Sequence, residues 1–256
     1  MAETKTYAPG TPSWVDLSSN DVEGSKHFYS ELFGWQAAVS EDPAAGGYAM
    51  FRLDGGDVAG VGAAMGEGQP TAWSVYIDTE DADATAKKVE AGGGRVVAPP
   101  FDVLEAGRMA VFQDPAGAFI SVWQPKAMPG AAAIQQPNTV GWVELNSREI
   151  ERVRGFYRDV FGWGEKRSPM GEGLGEYTEW QIGGESVAGA MPMAPGVPEQ
   201  VPNFWRVYFL VADIDAAVER ARGLGAQVQM GPSEYPGGRF AVLLDPQGAV
   251  FGLISS

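Results

Sequence analysis

Apolar and polar positions along the first half of the chain alternate in two periods, and the switches between them outline its elements. Val15 and Leu17 alternate with Asp16 and Ser18, which predicts a strand over Trp14 to Ser18. Val22, Ser25, Phe28, Tyr29 and Leu32 then fall near 3.6-residue spacing, with Asp21 placed to cap a helix and Gly34 to stop it after Phe33. Strands follow near Tyr48 to Leu53 and Val58 to Ala64, separated by Gly55-Gly56, and a fourth is predicted from about Trp73 to Asp78. A second helix opens at Asp81 and runs out at Gly92-Gly93-Gly94. Met109 to Gln113, the turn Asp114-Pro115-Ala116-Gly117, and Ala118 to Trp123 form a closing hairpin.

The same order recurs in the second half. WVDLSSNDVEGSKHFYSELFGW from Trp14 is answered by WVELNSREIERVRGFYRDVFGW from Trp142. Val58-Ala59-Gly60 matches Val187-Ala188-Gly189, Trp73 with Tyr76 matches Trp205 with Tyr208, and Asp81 with Asp83 matches Asp213 with Asp215. Gly107-Arg108 and Asp114-Pro115 match Gly238-Arg239 and Asp245-Pro246. A repeat of this extent predicts two modules, residues 8–124 and 139–256, each long enough to bury a core. Residues 125–138 between them carry the Pro/Gly punctuation of a linker.

Composition then removes whole classes of function. With 33 acidic against 18 basic residues the formal charge is −15, which repels phosphate backbones and anionic lipid, so neither nucleic acid nor a membrane is an expected partner. There is no cysteine, hence no disulfide frame, thiolate metal site or thiol nucleophile. No apolar run approaches the ~18 residues of a membrane span, and the start lacks the basic-then-apolar pattern of a secretory leader, so a cytoplasmic protein is expected. The lone histidine, His27, lies off the Phe28/Leu32 helix face and is expected at the surface.

The Phe-Tyr helix ending in Leu-Phe-Gly-Trp or Val-Phe-Gly-Trp, together with the Asp-Pro-x-Gly hairpin near each module's end, resembles the vicinal oxygen chelate superfamily. That superfamily includes glyoxalase I, bleomycin-resistance proteins and extradiol dioxygenases. More narrowly, the chain is similar to two-module glyoxalase-like proteins often labelled hydroxylases. The resemblance implies an α+β fold of tandem βαβββ modules, with cup-shaped, partly open mixed sheets and helices outside. It also implies where metal ligands would stand: at Trp14 and Trp142 on the first strand, at Ser74 and Arg206 on the fourth, and at Ser121 and Gly252 on the last. A register shifted by one would put Trp73 and Trp205 in the second place. The wholly apolar set Trp73, Val75 and Ile77 suits packing against helices, which favours Ser74 and Arg206 for the cup. Tryptophan, arginine and glycine offer no useful donor and a lone serine hydroxyl is a poor one, so no metal and no other cofactor is expected.

An aromatic cup with isolated polar groups is left. Trp14, Tyr76, Phe119, Trp123, Trp142 and Tyr208, with Ser74, Ser121 and Arg206, are the candidate ligand-binding residues, although such rings also fill closed cores. Asp16 and Glu144 are the candidate acid/base residues, because a carboxylate flanked by tryptophan on an inward strand position loses hydration. They also admit a structural reading, Asp16 accepting hydrogen bonds and Glu144 pairing with Arg206. Arg108 and Arg239 read first as loop-fixing. Two functions follow: binding of a small apolar or aromatic molecule, or metal-independent catalysis on one by Asp16 or Glu144. A metal-dependent glyoxalase or dioxygenase and a purely structural role rank below these. Monomer and homodimer are both compatible with two fused modules.

Overall fold

A computed structural model describes residues 5–66, 68–171 and 173–256. The first half contains β1 (Pro12–Ser19), α1 (Val22–Phe33), β2 (Gln36–Val39), β3 (Ala49–Leu53), β4 (Gly56–Ala63), β5 (Ala72–Asp78), α2 (Ala82–Ala91), β6 (Arg95–Val103), β7 (Gly107–Gln113) and β8 (Phe119–Pro125). The second half repeats them as β9 (Val140–Ser147), α3 (Ile150–Phe161), β10 (Gly164–Pro169), β11 (Glu176–Ile182), β12 (Glu185–Pro192), β13 (Phe204–Leu210), α4 (Ile214–Gly223), β14 (Gln227–Tyr235), β15 (Gly238–Leu244) and β16 (Val250–Ser255). Each half is thus a pair of βαβββ units. Its strands form one open eight-stranded sheet, in the order β2-β3-β4-β1-β5-β8-β7-β6 and β10-β11-β12-β9-β13-β16-β15-β14.

The helix boundaries follow from capping chemistry. Asp21 accepts a hydrogen bond from Gly24 N–H at the start of α1, and Gly34 closes it in the left-handed conformation at φ 73°. Asp81 and Asp213 cap α2 and α4 in the same way. Ser25, Phe28, Tyr29, Leu32 and Phe33 form the buried stripe of α1, while His27 is exposed.

Two compact units arise, and each takes one half of each repeat. Unit one comprises described residues up to Trp14, Val75–Gly130 and Val143–Arg206, so it joins α2 with β5 to β8 and α3 with β9 to β12. Unit two comprises Val15–Ser74, Ala131–Trp142 and Val207–Ser256, joining α1 with β1 to β4 and α4 with β13 to β16.

The two repeated motifs explain this exchange. In unit two, Tyr29 of α1 donates its hydroxyl to Asp245 Oδ2 at 2.8 Å and accepts from Trp73 Nε1 at 2.9 Å. Asp245 Oδ1 meanwhile accepts from Gln247 and Ala249 N–H, which closes its own hairpin turn. In unit one, Tyr157 of α3 donates to Asp114 Oδ2 at 2.8 Å and accepts from Trp205 Nε1 at 3.0 Å, while Asp114 Oδ1 closes its turn on Ala116 and Ala118. The tyrosine of one repeat is therefore bonded to the aspartate of the other, twice over. Rings pack around both: Phe28, Trp73 and Phe251 around Tyr29, and Phe156, Trp163 and Trp205 around Tyr157, with centroids 4.9 to 5.6 Å away. Burial pushes both carboxyls above their ordinary range, and the hydrogen bonds they accept oppose that rise.

Candidate functional site

The position of Trp73 and Trp205 fixes which strand face is left for function. Both indoles are hydrogen-bonded within the helix-side cores, so the shifted register is ruled out, and Ser74, Tyr76, Arg206 and Tyr208 alternate onto the opposite face. Trp14 and Asp16 share that face of β1, and Trp142, Glu144 and Asn146 share it on β9. Tyr76 stands in register with Ser121, and Tyr208 with Gly252.

Burial differs among these positions. Trp14, Tyr76, Ser121, Trp123, Glu144 and Tyr208 are buried, whereas Asp16, Ser74, Trp142 and Arg206 are partly exposed. Phe119 begins β8 and is 52% exposed, so it contributes a rim position. Trp123 donates its indole N–H to the Met128 carbonyl at 2.8 Å, which ties the ring to the segment following β8.

The two candidate acids sit in different surroundings. In unit two, the Tyr48 hydroxyl lies 3.4 Å from Asp16 Oδ2, at the long limit of a hydrogen bond. Asp16 is in register with Gly60, and a Cβ on Gly60 would overlap the Tyr48 hydroxyl, while one on Gly62 would stand 3.0 Å from its ring. Two glycines two residues apart on β4 therefore make the floor on which Tyr48 reaches Asp16. Tyr48 is a neighbour of Asp16 that alternation alone misses, and the paired glycines were its signal.

In unit one, Glu144 is 6% exposed and faces a cation. Arg206 Nη1 is 3.9 Å from Glu144 Oε1, and Asn146 Nδ2 donates to the same oxygen at 3.3 Å. The Arg206 guanidinium also lies 5.1 Å from the Phe204 ring centroid. The expected pairing of Glu144 with Arg206 is thus present, in a loose geometry strengthened by an amide.

The donor set at the positions that the fold family uses for metal does not fit a divalent ion. Indole and guanidinium offer no lone pair to a cation, and Gly252 has no side chain. The Tyr208 ring occupies the space that a side chain at 252 would need. Among the described residues, no three His, Asp or Glu side chains converge as ligands.

Other charged features are matched internally. Arg108 bonds Asp83 and Asp102, and Arg239 bonds Asp215, each joining a hairpin to the start of a helix, which is the loop-fixing role expected of them. A surface cleft of about 350 Å³ at the start of α3 is lined by Arg148, Glu149, Glu151, Arg154 and Glu176. Arg148 is engaged by the carbonyls of Val197, Pro198 and Val201, and Arg154 by Glu151 and Glu165. No described helix is long and apolar enough to cross a membrane.

Known proteins place this architecture. Anthracycline biosynthesis protein DnrV of Streptomyces peucetius is 44% identical over 264 residues, covering 97% of this chain and 94% of its own. The protein CFP32 of Mycobacterium bovis is 39% identical over 260 residues, covering 99% and 98%. The Mn(II)-bound glyoxalase of Novosphingobium aromaticivorans shares the fold with a TM-score of 0.65 at 20% identity, covering 96% of this chain and 82% of its own. The model of the Glyoxalase/Bleomycin resistance protein/Dioxygenase superfamily matches residues 11–122 and 139–253, and the chain belongs to that superfamily.

Proposed function

We propose that the chain binds a small, largely apolar or aromatic molecule without a metal, on the strand face of the first repeat that carries Asp16. The observation that supports this most is the contrast between the two acids. Asp16 is partly exposed and in contact with a phenol, whereas Glu144, likewise in register with a glycine, Gly189, is buried against Arg206 and Asn146. A partly exposed carboxylate can accept a hydrogen bond from a ligand that packs against the aromatic side chains of its face. The name of the Streptomyces relative, an anthracycline biosynthesis protein, is in keeping with a fused-ring aromatic ligand. In this reading the chain is cytoplasmic and its partner is that small molecule, with neither nucleic acid nor membrane.

A second reading makes the same face catalytic, with Asp16 moving a proton on the bound molecule. The Tyr48–Asp16 contact favours it, since a phenol beside a carboxylate can stabilise the ionised acid or relay its proton. Native mass spectrometry of the purified chain, followed by identification of any small molecule released, tests the shared claim. An aromatic molecule at about one per chain, reduced by Trp14→Ala, is the expected result. If that molecule is turned over and Asp16→Asn abolishes turnover while binding persists, the catalytic reading prevails. Elemental analysis finding about one transition metal per chain after dialysis, lost in the Ser121→Ala variant, overturns the metal-free claim.

A further inference from the structure

Asp78 is a buried acid that the fold does not require. It ends β5, is 4% exposed, and its Oδ2 has no hydrogen-bond partner. A buried polar atom left unsatisfied is costly, so its presence calls for a reason. The repeat supplies the control. Leu210 ends β13 at the matching place, and the backbone there is held in the same way. Asp78 N–H donates to Thr11 O at 2.8 Å and Gly10 N–H donates to Asp78 O at 2.9 Å; Leu210 N–H donates to Thr139 O at 2.9 Å and Asn138 N–H donates to Leu210 O at 2.6 Å. Gly10 O accepts from Trp163 Nε1, and Asn138 O accepts from Trp35 Nε1, both at 2.8 Å. A leucine satisfies this arrangement in unit two, so the carboxyl in unit one is an addition to it.

The groups around Asp78 make its ionisation unfavourable. Glu80, just beyond its own strand, adds a like charge, and Tyr7 of the N-terminal segment lies near enough for an ionised Asp78 to oppose ionisation of its phenol. Trp123 is its register partner on β8. Lys5 lies 5.3 Å from the Tyr7 ring centroid, where the ring holds the ammonium as a cation–π contact. The backbone at Gly130 approaches both Tyr7 and Ser13 closely. Burial first, and Glu80 second, push the Asp78 carboxyl from 3.8 up to about 6.

We propose that Asp78 is a proton-operated latch for the N-terminal segment of unit one, residues 5–11. With the carboxyl protonated the segment packs over it; with the carboxyl ionised, the charge draws in water and the segment loosens. The equivalent segment over Leu210, residues 133–139, has no such group and stays closed. The direction follows from linkage. The closed form binds the proton more tightly than the open form, so the stability it gains is complete below about pH 4 and is lost as pH rises through about 6. The span from 3.8 to about 6 sets a ceiling of ~100-fold on the change in the opening equilibrium.

Hydrogen exchange read by mass spectrometry on the full chain, corrected for intrinsic rates, tests the latch. Between pH 5 and pH 7.5, protection in residues 7–13 should fall by up to about tenfold, while protection in residues 135–141 should change by less than about threefold. Asp78→Asn keeps the shape and Asp78→Leu copies the other repeat; both should flatten the response, and Leu210→Asp should transfer it to residues 135–141. Equal protection of residues 7–13 at the two pH values in the wild type, or a response that survives both Asp78 variants, would overturn the proposal.

Discussion

Tyr29 and Tyr157 have matched surroundings, whereas Asp16 and Glu144 do not. Each tyrosine donates to a hairpin aspartate at 2.8 Å and accepts from a tryptophan indole, with aromatic rings packed around it. On the opposite strand face both acids stand in register with a glycine, but Asp16 meets a phenol where Glu144 meets a guanidinium and an amide. The helix side must hold each unit together, and both units meet that demand with the same hydrogen bonds. The strand face is under no such demand, and there the two repeats have taken different side chains: Ser121 opposite Gly252, Ser74 opposite Arg206, Asp78 opposite Leu210. Within one chain, likeness between repeats marks what the fold needs, and unlikeness marks where function can reside.

The clasps should give the largest effects and nearly equal ones. Asp114→Ala and Asp245→Ala each leave a buried tyrosine hydroxyl and two hairpin N–H groups unpaired, at a cost of ~3–5 kcal/mol in urea denaturation. A difference of more than about 2 kcal/mol between them would break the equivalence of the units. Next, Arg206→Met removes the cation facing buried Glu144 and should cost ~2–4 kcal/mol, with much of the loss recovered in the double variant with Glu144→Gln. Smallest is Tyr48→Phe. Its contact with Asp16 is long and partly exposed, so a loss below about 1 kcal/mol is expected; a loss as large as that of Arg206→Met would mean Asp16 is a structural group like its counterpart.

Much of this architecture was legible in the sequence, because the central strands and helices have a buried face that leaves a period. Trp14 to Ser18, the α1 stripe and the Asp-Pro-x-Gly hairpin all write their burial into the order of residues. The outer strands do not. β2 and β10 are almost wholly exposed, and β6 carries Pro99-Pro100, so backbone pairing defines them without any apolar alternation. The exchange of halves was equally hidden, since Tyr29 and Asp245 lie 216 residues apart and nothing local to either motif names its partner. In the candidate site, alternation found Asp16 and Glu144 and set Arg206 beside Glu144, but it did not show Tyr48 beside Asp16. Tyr48, expected at the start of a strand, stands just before β3 and reaches Asp16 across Gly60 and Gly62, which have no side chains.

Calorimetric titration with the small molecule found bound in native mass spectrometry tests the contrast between the two faces most directly. The account predicts about one molecule bound per chain, a loss of affinity of about tenfold or more in Asp16→Asn, and a change within about threefold in Glu144→Gln. Two equal sites per chain, or a larger loss in Glu144→Gln than in Asp16→Asn, would contradict it.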